Sequence, residues 1–141
     1  MNTQPIRHMN NTTWGVVERA PPTELSPNGR SQHWRKRQRA KREWKMAGWE
    51  MGNRMRWYRE RHGLADIYGK RVIVTYVFVF PQRRKRDIDN LVYMMKPFMD
   101  GMVASRLIKD DNHEYVQHGR HEILHHKDLD PHVEVFVKWI R

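Results

Sequence analysis

The chain reads as a single α/β domain of the α+β kind: one small mixed β-sheet of about four strands, with two main helices packed on it. Three observations predict this. Two segments, 31–61 and 88–104, place apolar residues at steps of three and four. Residues 71–80 form an unbroken β-branched and aromatic run. Residues 132–140 alternate, with Val133, Val135, Val137 and Trp139 set against Glu134, Phe136 and Lys138. At about 100–200 residues per domain, 141 residues make one domain.

Taken in order, residues 1–13 are polar and read as a flexible arm, leaving one domain over 14–141. Trp14–Arg19 is a short strand candidate that ends at Pro21-Pro22, which cannot continue a ladder. The stretch to Gly29 is turn chemistry. From Ser31 to Arg61, the residues Ala40, Trp44, Ala47, Met51, Met55 and Tyr58 make one apolar helical stripe. Gly48 and Gly52 are expected to weaken and bend that helix. Gly63 and Gly69 bracket a loop, and Arg71–Phe80 is a central strand stopped by Pro81. A second helix over Ile88–Ala104 buries Leu91, Met95, Phe98, Met99 and Met102, with a kink or restart at Pro97. Two strands, Glu114–Leu124 and His132–Ile140, close the chain.

Composition narrows the function. Hydrophobic residues are 38% of the chain, against about 45–50% in an average globular protein. The core is therefore thin and the surface charged. Lys and Arg number 27 against 16 Asp and Glu, a net charge of +11. That balance points to a polyanionic partner, nucleic acid first and an anionic membrane second. The absence of cysteine excludes disulfide scaffolds, Cys-based zinc fingers and thiol catalysis. No apolar run approaches the roughly 18–20 residues of a membrane span, so no membrane association through a span is expected. With no apolar signal segment in residues 1–13, the expected address is the cytoplasm.

Charge is also segregated. Residues 30–61 carry 12 Lys/Arg and 3 Glu, and Arg83-Arg84-Lys85-Arg86 adds four cations in one loop. Then the sign reverses: Asp87, Asp89, Asp100, Asp110, Asp111 and Glu114 stand against Lys96, Arg106 and Lys109. Cations beside an acidic cluster suit a metal-dependent nuclease, since cations hold phosphates and carboxylates hold Mg²⁺ against the scissile one. The candidate phosphate-binding residues are Arg35, Lys36, Arg37, Arg39, Lys41, Arg42 and Arg83, Arg84, Lys85, Arg86.

Asp87-Ile88-Asp89-Asn90 follows the central strand and the basic loop. If the chain stays extended, Asp87 and Asp89 point to the same side and can share a metal. If a helix starts at Ile88, they are an N-cap and a first-turn acid. On a continuous helix at about 100° per residue, Lys96 and Asp100 fall within about 20° of Asp89. Asp110-Asp111 lies in a loop, where aspartate serves either function or a turn.

Taken together, these residues resemble the RusA family of Holliday-junction resolvases of bacteria, prophages and phages. The matching residues are Arg84-Lys85-Arg86-Asp87-Ile88-Asp89-Asn90-Leu91, Lys96-Pro97-Phe98-Met99-Asp100-Gly101 and Asp110-Asp111. Upstream, Pro21-Pro22, Leu25-Ser26-Pro27-Asn28-Gly29-Arg30 and His33-Trp34 are similar to the family's N-terminal half. The resemblance covers about residues 16–140 and implies a homodimeric, Mg²⁺-dependent endonuclease, with Mn²⁺ able to substitute. Such an enzyme nicks four-way DNA junctions symmetrically and needs no small-molecule cofactor beyond the metal. By motif position it implies Asp87, Asp89 and Asp111 as metal-binding acids and Lys96 as the catalytic lysine, with Asp110, Asp100 and Asn90 in support. The family's lysine usually follows the second Asp by four residues, a place held here by Tyr93, whereas Lys96 follows by seven. Phe80, at the strand end, is either a wedge that stacks on a base at the branch point or a core residue.

Two other readings compete. A non-catalytic DNA- or RNA-binding module explains the charge but not five aspartates around one lysine, and a nuclease of flaps or forks shares every residue named above. His121-Glu122-Ile123-Leu124-His125 matches the zincin pattern, but that chemistry needs a helix, and this segment reads as strand.

Overall fold

The computed structural model describes residues 4–27 and 34–140. The expected helix start at Ser31 and the motif residues Asn28, Gly29, Arg30 and His33 lie outside the described residues.

The mixed α+β architecture is as expected, with more strands. One sheet holds six: β1 (Arg7–Met9), β2 (Thr12–Val17), β3 (Val72–Phe80), β4 (Val116–His118), β5 (Glu122–His125) and β6 (His132–Trp139). Their order is β1-β2-β6-β3-β4, with β5 also pairing β3. β6 pairs antiparallel with both β2 and β3, while β4 and β5 run parallel to β3. The helices are α1 (Trp34–Arg61), α2 (Ile88–Met94) and α3 (Lys96–Ala104). The expected central strand has the richest burial, with Val72, Val74, Tyr76 and Phe78 fully covered.

Two additions account for the strand count. Residues 7–13 of the expected flexible arm instead belong to a hairpin: β1 and β2 pair through a tight turn at Asn10, whose φ of 56° asparagine tolerates. Ile6 joins the core, and buried Thr13 accepts from Arg59 Nη1 at 2.9 Å. The single strand expected over Glu114–Leu124 splits in two at Gly119. A Cβ there would lie 2.1 Å from Thr75 Oγ1, so the chain presses on β3 at that point. There the His121 ring replaces a strand partner, its Nδ1 accepting from the Tyr76 N–H at 2.9 Å.

α1 runs as one helix through both glycines, so their expected weakening does not break it. Gly48 and Gly52 are contact points. A Cβ on Gly48 would lie 1.9 Å from the Phe98 carbonyl oxygen, and one on Gly52 would lie 1.9 Å from Ser105 Oγ. Gly101 of α3 answers them, since its Cβ would lie 2.0 Å from the Lys45 carbonyl oxygen. The missing side chains of Gly48 and Gly101 let the two helices touch backbone to backbone, and that of Gly52 leaves room for Ser105. Trp44 and Phe98 pack beside this seam, ring centroids 5.2 Å apart.

Pro97 acts as expected. It has no N–H to give to Tyr93 and its ring crowds that carbonyl, so α2 ends and α3 restarts across Met95.

Candidate functional site

The site begins where β3 and the basic loop hand over to α2. Asp87 is the N-cap: its backbone is extended (φ −92°, ψ 116°) and its Oδ1 accepts from the Asp89 N–H at 2.9 Å. Asp89 lies in the first turn, where a negative charge complements the helix dipole. Capping engages one oxygen of Asp87, and both side chains are exposed, with Asn90 half-buried behind them.

Lys96 opens α3, and its ammonium is held between two carboxylates: Nζ donates to Asp111 Oδ2 at 2.6 Å and to Asp100 Oδ1 at 2.9 Å. A cation at a helix N-terminus opposes the dipole, so the acids and not the helix account for its placement. Partial burial works to lower the Lys96 pKa, but hydrogen bonds and charge from Asp111 and Asp100 outweigh it, and the net shift is upward. Lys96 is therefore protonated across the neutral range. Asp110 shapes the turn that presents Asp111, its Oδ1 accepting from the Asp111 N–H at 2.7 Å and its Oδ2 from Asn112 Nδ2 at 3.2 Å.

The structure thus brings together Lys96, Asp111 and Asp100, with Asp110 behind them, and pairs Asp87 with Asp89 one short helix earlier. Because the helix breaks at Met95, the continuous face expected to carry Asp89, Lys96 and Asp100 is corrected: the partners of Lys96 are Asp100 and Asp111. Tyr93 stands exposed on α2. Among the described residues no group of three or more His, Asp or Glu is arranged to hold a metal. Mg²⁺ is ordinarily held by one or two carboxylates, with substrate phosphate and water completing its shell. Exposed Asp87 and Asp89 are donors of that kind, while half-buried Asp111 gives one oxygen to Lys96.

Phe80 is 8% exposed, and the Arg86 guanidinium lies 3.7 Å over its ring. The wedge reading is therefore corrected in favour of core packing. Arg86 also donates to the Gln82 carbonyl at 2.9 Å, whereas Arg83, Arg84 and Lys85 are exposed.

The cations of α1 sort in the same way. Arg35, Lys36, Arg39, Lys41 and Arg42 are exposed, but Arg37 donates to the Glu24 carbonyl at 2.8 Å and anchors the turn before the helix. Farther along, Arg54 donates to the Gln4 carbonyl and Arg56 to the Ser105 carbonyl at 3.0 Å. Arg59, 5% exposed, donates twice to the Ala65 carbonyl and once to Thr13.

The zincin pattern is absent as a structure: Glu122–His125 is strand β5, and His121 is committed to the Tyr76 N–H. That bond leaves the His121 proton on Nε2, which faces His118 Nδ1 at 3.0 Å. Burial, with the charge of His118 second, pushes the His121 pKa down to about 4. The Tyr76 ring stacks on His121, and its buried hydroxyl has no hydrogen-bond partner among the described residues. Burial, then the charge of Asp111, pushes the Tyr76 pKa up. Nothing in the periodicity of β3 marked Tyr76 as the partner of His121, because long-range pairing decides it.

Comparison with models of protein families finds no match, and neither does comparison with curated proteins.

Proposed function

We propose that this protein is a Mg²⁺-dependent, structure-specific endodeoxyribonuclease that resolves four-way DNA junctions by paired nicks. The observation that carries the reading is the Lys96 ammonium shared by Asp111 and Asp100 at 2.6 and 2.9 Å, one short helix after Asp87 and Asp89. A lysine set against its helix dipole, paired with Asp100 one turn on in the same helix and fastened to the loop carboxylate of Asp111, has little value for folding. The Asp100 pair is open to solvent and the Asp111 pair partly so, and each is worth at most about 1 kcal/mol. Its value lies in a positive charge kept ready for a phosphate.

Asp87, Asp89 and Asp111 would hold the metal. When bound, Mg²⁺ supplies Lewis-acid stabilisation of phosphoryl charge and a water of lowered pKa. Lys96 donates its N–H bonds to the phosphate oxygens as negative charge grows there, exchanging a carboxylate partner for the substrate. Asp110 keeps Asp111 in place through its backbone N–H. Arg83, Arg84 and Lys85 grip the strand beside the cut, and the exposed cations of α1 grip an arm. Two nicks across one branch call for two sites related by a two-fold axis, hence a homodimer.

A labelled four-way junction incubated with and without Mg²⁺, beside duplex, flap and fork controls, tests this. Paired symmetric nicks that need Mg²⁺ and appear on the junction are expected. Cutting confined to flaps or forks would move the substrate, and binding with no cutting under any divalent metal would leave a DNA-binding module.

A further inference from the structure

Among the described residues the exposed tryptophans, Trp34, Trp49 and Trp57, all lie on α1. At about 100° per residue, Arg35, Arg39, Arg42, Met46, Trp49 and Trp57 fall within an arc of about 80°. All six are exposed, Trp49 at 43% and Trp57 at 60%. The row is basic in its first half, and in its second Trp49 and Trp57 flank Asn53, which falls in the same arc and is buried. At about 1.5 Å per residue it runs about 33 Å.

The turn of α1 that bears Trp49 lies against α3 one residue from Asp100. Gly101, the residue after Asp100, packs on the turn of α1 that bears Trp49: its Cβ would lie 2.6 Å from the Trp49 backbone nitrogen. The Lys45 carbonyl meets the same point, and its side chain is exposed beside Trp49. A strand laid along this row would carry its phosphates on the arginines and reach Trp49 next to Asp100.

An apolar helix face can instead take a second copy of the chain. Charge argues against that occupant. Residues 35–45 hold six exposed cations against one exposed acid, Glu43, and a second copy would bring the same excess. A polyanion neutralises them, and a base has a π-face for each indole. Met46 supplies further apolar contact between the two halves.

We infer that the outer face of α1 binds DNA across a change from paired to unpaired strand: Arg35, Arg39 and Arg42 hold duplex phosphates, and Trp49 and Trp57 stack unpaired bases. This rests on the DNA-binding part of the function proposed above and not on catalysis. It makes Trp49 a specificity-determining residue, the one that favours branched or tailed DNA over plain duplex.

The test measures binding in EDTA, so that no cutting intervenes. The probes are a duplex with a single-stranded tail carrying 2-aminopurine and a fully paired duplex of equal length. Trp49→Leu keeps apolar bulk and removes the π-face. It should weaken binding of the tailed probe about tenfold and leave the duplex within about twofold. Trp49→Phe should restore most of the difference and the 2-aminopurine quenching. Arg39→Ala with Arg42→Ala should weaken both probes alike. If Trp49→Leu lowered both affinities equally, or neither, the inference would be wrong. It would also be overturned if Trp49→Leu and Trp57→Leu reduced the mass of the free protein by light scattering while the tail-to-duplex ratio stayed put, since the face would then be a contact between copies. Wild-type protein that prefers the tailed probe yet never cuts with Mg²⁺ would uphold this inference and remove the nuclease reading.

Discussion

The two halves of α1 use arginine for opposite ends. Between residues 35 and 45, every Lys and Arg but Arg37 is exposed. Between residues 54 and 59, every arginine is tied to backbone elsewhere in the fold: Arg54 to Gln4, Arg56 to Ser105, Arg59 to Ala65. The basic loop repeats the contrast in four residues, with Arg83, Arg84 and Lys85 open and Arg86 laid on Phe80. A count of charges therefore overstates the capacity for phosphate. The committed arginines reach carbonyls that no helix or strand satisfies, and so they act as long-range staples of a thin core.

The largest effect that would break this comparison is at Arg59. Arg59→Ala removes three hydrogen bonds from a buried side chain and leaves the Ala65 carbonyl and Thr13 short of a donor. A loss of about 3 kcal/mol of stability is expected from urea unfolding. A variant as stable as the parent would show that Arg59 is no staple.

The opposite substitution set sharpens it. Arg35→Ala, Arg39→Ala and Arg42→Ala together should change stability by less than about 0.5 kcal/mol. They should make log K against log salt shallower by about two to three, at about 0.9 per phosphate. An unchanged slope would return these cations to ordinary surface charge.

A smaller effect comes from a group held neutral. The folded His121 pKa of about 4 lies below its ordinary value of 6.5. The unfolded chain then binds the extra proton between those values, so its contribution is complete above about pH 6.5 and is lost as pH falls toward 4. Urea midpoints should drop between pH 7 and pH 4.5, and His121→Gln, which can still accept from the Tyr76 N–H, should flatten that drop. A parent profile as steep as that of the variant would discard the assignment.

Much of the fold was legible because it depends on local pattern. β3 announced itself by an unbroken β-branched run, β6 by alternation, and the α2–α3 break by Pro97. The hairpin of residues 7–17 was not legible, since β1 is three residues long and largely polar and is held by pairing to β2. Gly48 and Gly52 read as helix weaknesses because propensity is a property of one helix, whereas their use, with Gly101 opposite, appears only when two helices meet. At the candidate site the acids and Lys96 could be named from spacing, but their partners could not. The bond to Asp111 crosses fifteen residues of chain, and the expected Asp89–Lys96 face assumed a helix that Pro97 interrupts. The wedge at Phe80 failed for a similar reason: the cation that covers the ring lies beyond the strand.

The claim that Lys96 and its carboxylates form a reaction centre is tested most directly at Asp111. Its ion pair with Lys96 is partly exposed and worth at most about 1 kcal/mol, so Asp111→Asn should fold normally. Cleavage of a labelled four-way junction in Mg²⁺ should fall by at least about a thousandfold. Binding of the same junction in EDTA should hold or tighten, because a negative charge beside the phosphates is gone. Cleavage by Asp111→Asn at close to the parent rate would contradict the account.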